Sequence, residues 1–120
     1  MAPNAARPSL ALLQGTLDLL ILEALRGGPL HGYGVVRLLR ERSDDALQVE
    51  EGALYTALHR MEERGWLVSK WGASESGRRA RFYRLTPAGK RQLEQQSRGF
   101  ARYAGAVFRV LGLHPEEEAP

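Results

Sequence analysis

The chain has 120 residues, of which 43% are hydrophobic and 26% charged. This length and composition predict one globular domain and argue against a disordered protein. The absence of cysteine excludes disulfides, zinc fingers and iron–sulfur sites. The longest nearly apolar run, residues 17–25, contains Asp18 and Glu23 and is shorter than the ~20 residues that a membrane span needs. Residues 1–9 show no signal-peptide pattern, and we therefore expect a cytoplasmic protein without membrane contact.

The net charge of +3 is unevenly distributed along the chain. From His59 to Arg91 there are nine basic and three acidic residues, and the rest of the chain is net acidic. This polarity suggests an anionic partner that touches one part of the molecule. A solvated basic surface would give the same pattern, and composition does not separate the two interpretations.

Three helices are predicted in the first half of the chain. The first covers residues 14–26 and is apolar around most of its circumference, so we expect it to be buried on more than one side, in part against another subunit. The second covers residues 31–42. The third covers about residues 50–64 and ends at Gly65, a residue type that commonly ends helices.

After the third helix, the spacing of hydrophobic residues changes from the helical period of about 3.6 residues to the two-residue alternation of strands. Residues 66–71 and 80–85 are predicted to be paired strands, and residues 72–79 a mobile hairpin loop. Thr86 is predicted to cap a last helix that begins at Pro87 and runs to about Leu111. The apolar residues of this helix follow the 4-3 spacing of paired helices.

One face of the third helix suits insertion into DNA. Gly52, Ala53 and Thr56 are small enough for a helix that enters a major groove ~12 Å wide. The Tyr55 hydroxyl suits a phosphate oxygen, although partial burial of this side chain is nearly as good an interpretation. For Thr56 and His59 we favour DNA contact over an ordinary surface position. The predicted contacts of this helix are Gly52, Ala53, Tyr55, Thr56, His59 and Arg60.

The hairpin is the second candidate DNA contact. Arg78, Arg79 and Arg81 are predicted to cluster at its flexible tip, where guanidinium groups can follow phosphates or enter a narrow minor groove. Charges on an exposed hairpin also prevent edge-to-edge aggregation, but three arginines exceed that need. We interpret Trp66 and Trp71, at the two ends of the first strand, as hydrophobic anchors of the hairpin.

No pattern in the chain predicts catalysis. His31, His59 and His114 are isolated from one another and from other metal-ligand or catalytic motifs. We therefore expect no enzyme activity, no metal site and no cofactor.

The order helix, helix, helix, hairpin, long helix predicts a mainly α fold with a small β-hairpin, a winged helix-turn-helix with a C-terminal dimerisation helix. We expect a flexible segment at 1–9, a DNA-binding domain at 10–85, a dimerisation helix at 86–112 and a flexible acidic tail at 113–120. The expected homodimer interface consists of Leu12, Leu19, Leu22, Leu93, Phe100, Ala104, Val107 and Leu111.

Four segments in this order resemble the PadR-like transcriptional regulators, in particular the short members with a single C-terminal helix. The segments are LQGTLDLLILEAL (13–25), GPLHGYG (28–34), EGALYTALHRMEERGW (51–66) and RRARFYRLTPAG (78–89). The resemblance implies a dimeric repressor whose third helix enters the major groove of double-stranded DNA and whose wing touches the adjacent backbone. It also implies dimerisation through the first and last helices.

The chain departs from the family pattern at Thr56, where relatives commonly have proline, so its operator preference is expected to differ. Some relatives bind aromatic or multidrug-like compounds, but no residue here identifies a small-molecule effector. Two other functions stay open: a winged-helix protein-interaction module without DNA binding, and RNA binding.

Overall fold

The computed structural model describes residues 10–11 and 15–114. Predictions for residues 1–9, Leu12 and residues 115–120 lie outside these ranges. The described helices are α1 (Thr16–Ala24), α2 (Gly32–Arg42), α3 (Glu51–Glu63) and α4 (Pro87–Leu111). The described strands are β1 (Leu10–Ala11), β2 (Leu30–His31), β3 (Leu47–Gln48), β4 (Leu67–Ala73) and β5 (Arg79–Leu85). The predicted fold class, a mainly α winged helix-turn-helix followed by a long helix, is confirmed.

Local sequence signals explain where the helices begin. Gly15 has a φ of 89°, a left-handed conformation that favours glycine, and α1 begins at the next residue. The imidazole Nδ1 of His31 caps α2 by accepting a hydrogen bond of 3.0 Å from the Gly34 amide. The predicted cap of α4 is confirmed, because Thr86 Oγ1 accepts a 3.0 Å hydrogen bond from the Gly89 amide.

The hairpin of β4 and β5 belongs to a three-stranded antiparallel sheet in the order β2-β5-β4. Its register places Trp71 opposite Arg81 and Ala73 opposite Arg79. The third strand, β2, was not predicted, because a two-residue strand is too short to show a period. A second small sheet pairs β1 with β3 in parallel.

The core lies between α1, α2, α3 and the inner face of the hairpin. Two residues that were expected at a dimer interface belong to it: Leu22 is 0% exposed and Leu93 is 6% exposed. This is a correction, since a side chain enclosed within one protomer is not available to another. Leu19 is half-buried and packs against the same core.

Helix α4 joins the core only near its beginning. Gly89 approaches the Trp66 backbone so closely that an added Cβ would overlap the Trp66 carbonyl oxygen. Within α4, the residues after Leu93 include no buried side chain. The exposed large apolar residues on this distal part are Phe100, Tyr103, Val107, Val110 and Leu111. Within the described ranges, no helix combines the length and the apolar character of a membrane span.

Candidate nucleic-acid interface

Helix α3 has one buried side and one exposed side. Leu54, Ala57, Leu58 and Met61 are buried, which anchors the helix to the core. The predicted contact residues Gly52, Ala53, Tyr55, Thr56 and His59 are all exposed. Near the start of the helix, Gly52, Ala53 and Thr56 have small side chains, and Tyr55 is the one large side chain among them. The exposed side is therefore slim enough to approach another macromolecule closely.

Arg60 differs from the other predicted contacts because it is held by an acidic residue. Its guanidinium donates to both carboxylate oxygens of Asp18 in α1, at 2.7 and 3.4 Å. Both side chains are partly buried, so this ion pair ties α3 to α1. No local sequence pattern predicts this pairing, since the two residues are 42 positions apart. Asp18 and Arg60 share an open hollow with Gly52, Ala53 and Thr56.

The three arginines of the hairpin have different surroundings. Arg78 closes the turn, where its carbonyl oxygen accepts a 2.8 Å hydrogen bond from the Ser74 amide. Arg79 is the first residue of β5, and its guanidinium carbon lies 4.4 Å from the centre of the Trp71 ring. Neither arginine has a carboxylate partner among the described residues. Both are exposed and therefore free to meet an anion.

Arg81 is not at the hairpin tip, which corrects the prediction of a three-arginine cluster there. It lies within β5, and its Nε donates a 2.8 Å hydrogen bond to Ser69 Oγ. Ser69 in turn donates to Glu62 of α3 at 2.7 Å, and the Arg81 guanidinium lies 3.8 Å from the same carboxylate. Arg81 therefore links the wing to α3, and Glu62 offsets much of its charge.

A groove of about 580 Å³ separates the start of α2 from the hairpin. Tyr55 lies against Gly32, where an added Cβ would come within 2.6 Å of the tyrosine hydroxyl, so no larger residue fits there without a shift. Tyr33, near the start of α2, is 60% exposed at this groove.

The groove carries positive charge at one wall and aromatic rings at the other. Its charged wall contains Arg78, Arg79 and Arg81, and its acidic residue, Glu75, is paired with Arg37 of α2 at 3.2 Å. Tyr83 lies at the base, and burial, reinforced by the nearby Glu62 charge, raises the pKa of its hydroxyl. Tyr83 is therefore neutral at physiological pH. The surface as a whole suits a polyanion.

Across residues 15–114, no three histidine, aspartate or glutamate side chains come close enough to hold a metal ion. The described side chains at this surface offer guanidiniums and hydroxyls, which are groups that bind an anion.

Comparison with known proteins gives the family. Residues 21–95 match the model of the transcriptional regulator PadR-like family. A protein of unknown role encoded in a transposon of Streptomyces fradiae is 41% identical over 91 residues, which are 76% of this chain. The chain spans 25% of the length of that relative.

Solved structures show the same fold. A PadR family regulator from Clostridium difficile is 32% identical and superposes with a TM-score of 0.67, over 81% of this chain and 98% of that one. Bacillus subtilis PadR, solved in complex with operator DNA, is 23% identical and has a TM-score of 0.60 over 68% of this chain and 46% of that one. From the family match over residues 21–95 and the shared fold, the chain belongs to the PadR-like family of transcriptional regulators.

Proposed function

We propose that this DNA-binding regulator is a repressor that binds an inverted-repeat operator as a homodimer. In this proposal residues 10–85 form the DNA-binding domain and residues 86–112 the dimerisation helix. The observation that carries it is that α3, through Tyr55, lines the same groove as two wing arginines, Arg78 and Arg79, which have no carboxylate partner among the described residues. The contacts to DNA come from Gly52, Ala53, Tyr55, Thr56, His59, Arg60, Arg78 and Arg79, with Arg81 supporting the wing.

The side chains of α3 divide between base reading and positioning. Thr56 and His59 offer a hydroxyl and an imidazole, which can bond to base edges in the major groove. Arg60, fixed by Asp18, keeps N–H groups that point away from the carboxylate, and these can meet a guanine or a phosphate. A guanidinium held in one orientation loses less freedom on binding, which favours specific contact.

The wing contributes positioning through phosphates. Contacts to phosphates fix the orientation of a protein on DNA but carry no sequence information. Arg78 and Arg79 suit this role because they are exposed beside the groove and no carboxylate of the described residues offsets their charges. The operator complex of Bacillus subtilis PadR supports the use of this fold on DNA.

We propose that a second copy of the chain packs against the exposed apolar residues of α4. Residues 94–111 bury no side chain within the protomer, whereas most of the stability of a protein helix comes from the packing of its apolar face. Its exposed stripe includes the predicted interface residues Phe100, Val107 and Leu111, with Ala104 half-buried among them. Tyr103 and Val110 extend the stripe beyond the prediction. A closed two-fold dimer hides such a stripe, and two-fold symmetry places the two α3 helices on related half-sites.

Selection of bound duplexes from a random DNA pool tests the proposal. The expected product is an inverted repeat with half-sites about one helical turn, roughly 10 base pairs, apart. A reporter gene placed behind the selected site should then be expressed less when the protein is present. Enrichment of no sequence, of a lone half-site or of a direct repeat would contradict the proposal. Increased reporter expression would contradict the repressor assignment alone.

A further inference from the structure

Two tryptophans of the protein each lie under an arginine, but in different surroundings. Trp66 is half-buried, packs against the core and lies 5.3 Å from the guanidinium carbon of Arg64. Trp71 is 52% exposed, lies outside the core and lines the groove, with the guanidinium carbon of Arg79 at 4.4 Å. Trp66 alone therefore fits the anchoring role that the sequence suggested for both.

The register of the hairpin explains why Trp71 meets two arginines. Arg81 lies directly opposite Trp71 on β5, and Arg79 lies two residues earlier on the same face of the sheet. Diagonal neighbours at this spacing are within reach of aromatic and long side chains. The guanidinium carbon of Arg81 lies 5.4 Å from the Trp71 ring centre, so the indole lies beside one arginine that is anchored and one that is not.

Trp71 thus connects Arg79 of the wing to α3 through a series of contacts. Glu62 of α3 binds Ser69 and Arg81, Arg81 contacts the Trp71 ring, and Trp71 in turn carries Arg79. In this series Arg81 has a carboxylate partner, Glu62, whereas Arg79 has none among the described residues. The series ends at the groove, with Arg79 held beside it.

We propose that Trp71 is a positioning residue that holds the guanidinium of Arg79 over the groove for contact with a DNA phosphate. This rests on the proposed function, DNA binding through the wing. A guanidinium stacked on an aromatic face keeps the N–H groups at its edge free to donate to phosphate oxygens. Stacking also restricts a long side chain before binding, so less conformational freedom is lost when the phosphate is met.

The test compares Trp71→Leu with Trp71→Phe in salt titrations of affinity for the selected duplex. If Arg79 loses its phosphate contact without the ring, Trp71→Leu should flatten the slope of log affinity against log salt by up to about 1.8 for the two wings of a dimer. Trp71→Phe keeps an aromatic face and should retain most of the slope. Because Trp71 lies outside the core, both variants should keep the wild-type circular dichroism spectrum and melting temperature.

A double variant separates positioning from a direct contact by Trp71. Arg79→Ala should flatten the slope as Trp71→Leu does, and the combination should do no more than Arg79→Ala alone. Arg64→Ala is the matched control, since it removes the other arginine–tryptophan pair, and it should keep the wild-type slope.

Three results would overturn the proposal, and they differ in what else they affect. An unchanged slope in Trp71→Leu, or effects of Trp71→Leu and Arg79→Ala that add in full, removes the positioning role and leaves DNA binding intact. A wild-type protein that binds no duplex removes the proposed function and the positioning role together.

Discussion

Helices α3 and α4 both present an exposed side, and the two sides differ in chemistry. The exposed side of α3 carries the small or polar residues Gly52, Thr56 and His59, and Tyr55 of the same helix lines the basic groove. The exposed side of distal α4 is large and apolar, with Phe100, Tyr103 and Val110. A groove in DNA excludes bulk and attracts hydrogen-bond donors, whereas a second helix needs apolar surface to bury. This difference supports the proposal that α3 contacts nucleic acid and that α4 packs against a second copy of the chain.

The largest expected effect comes from a charge on the α4 stripe. Phe100→Asp should separate the proposed dimer, because burial of a phenylalanine side chain stabilises by about 1.5–3 kcal/mol and a two-fold interface would contain this residue twice. The dissociation constant should rise roughly 100- to 10,000-fold, measured by sedimentation equilibrium. Ala101→Asp adds the same charge off the stripe and should change the dimer little. Equal dissociation by both variants would show that net charge, and not the stripe, sets the association.

The root of α4 should behave differently from its distal part. Gly89→Ala should lower the free energy of unfolding by about 3 kcal/mol, since its Cβ would overlap the Trp66 carbonyl oxygen and the backbone must shift. Gly99→Ala on the same helix meets nothing within 4 Å and should raise stability by about 0.5–1 kcal/mol through helix propensity. Denaturant unfolding measures both. A tolerated Gly89→Ala would mean that α4 is not packed on the wing as described.

On α3, a substitution of a base-contacting residue should have a smaller effect, limited to the discrimination among operator sequences. His59→Ala should reduce discrimination among operator variants by about 1–3 kcal/mol while leaving the salt slope nearly unchanged. Competition binding with a panel of duplexes measures this. His114→Ala, an exposed histidine beyond α4, is the control and should behave as wild type. A flattened slope without loss of discrimination would place His59 on a phosphate.

The smallest effect is expected at Glu23, beside the start of distal α4. A hydrogen bond from Arg26, together with the charges of Arg26 and Arg42, holds the pKa of this carboxyl below its ordinary value. A lowered carboxyl pKa stabilises the fold at neutral pH, and this contribution is lost as the pH falls through the folded-state pKa. Glu23→Gln should therefore slightly lower the melting temperature at neutral pH and not in acid. Glu94→Gln, exposed and without a basic partner among the described residues, should show no such difference.

Local signals in the sequence predicted most of the fold. The Thr86 cap, the glycine after α3 and the change of period at the hairpin are all read from a few adjacent residues, and the structure confirms these elements. Leu22 shows where this reading fails. In a helix that is apolar all round, sequence cannot say which side meets its own core and which meets a partner. The structure places Leu22 in the core.

The sequence predicted which side of α3 carries the candidate site residues, but it did not predict the contacts that these residues make. The exposed side of α3 follows from helical periodicity, and the structure places its predicted residues there. The ion pair of Arg60 with Asp18 and the link from Arg81 to Glu62 depend on how distant segments pack, which periodicity does not contain. These two pairs distinguish Arg60 and Arg81, which have carboxylate partners, from Arg78 and Arg79, which have none among the described residues.

The central claim, that the free wing arginines meet DNA phosphates beside α3, is tested most directly by salt titration. The double variant Arg78→Ala, Arg79→Ala should flatten the slope of log affinity against log salt by up to about 3.6, because each of four contacts in a dimer contributes about 0.9. Specific and scrambled duplexes should be weakened alike. A double variant that keeps the wild-type slope would contradict the account, and the arginines would then serve only to protect the edge of the hairpin.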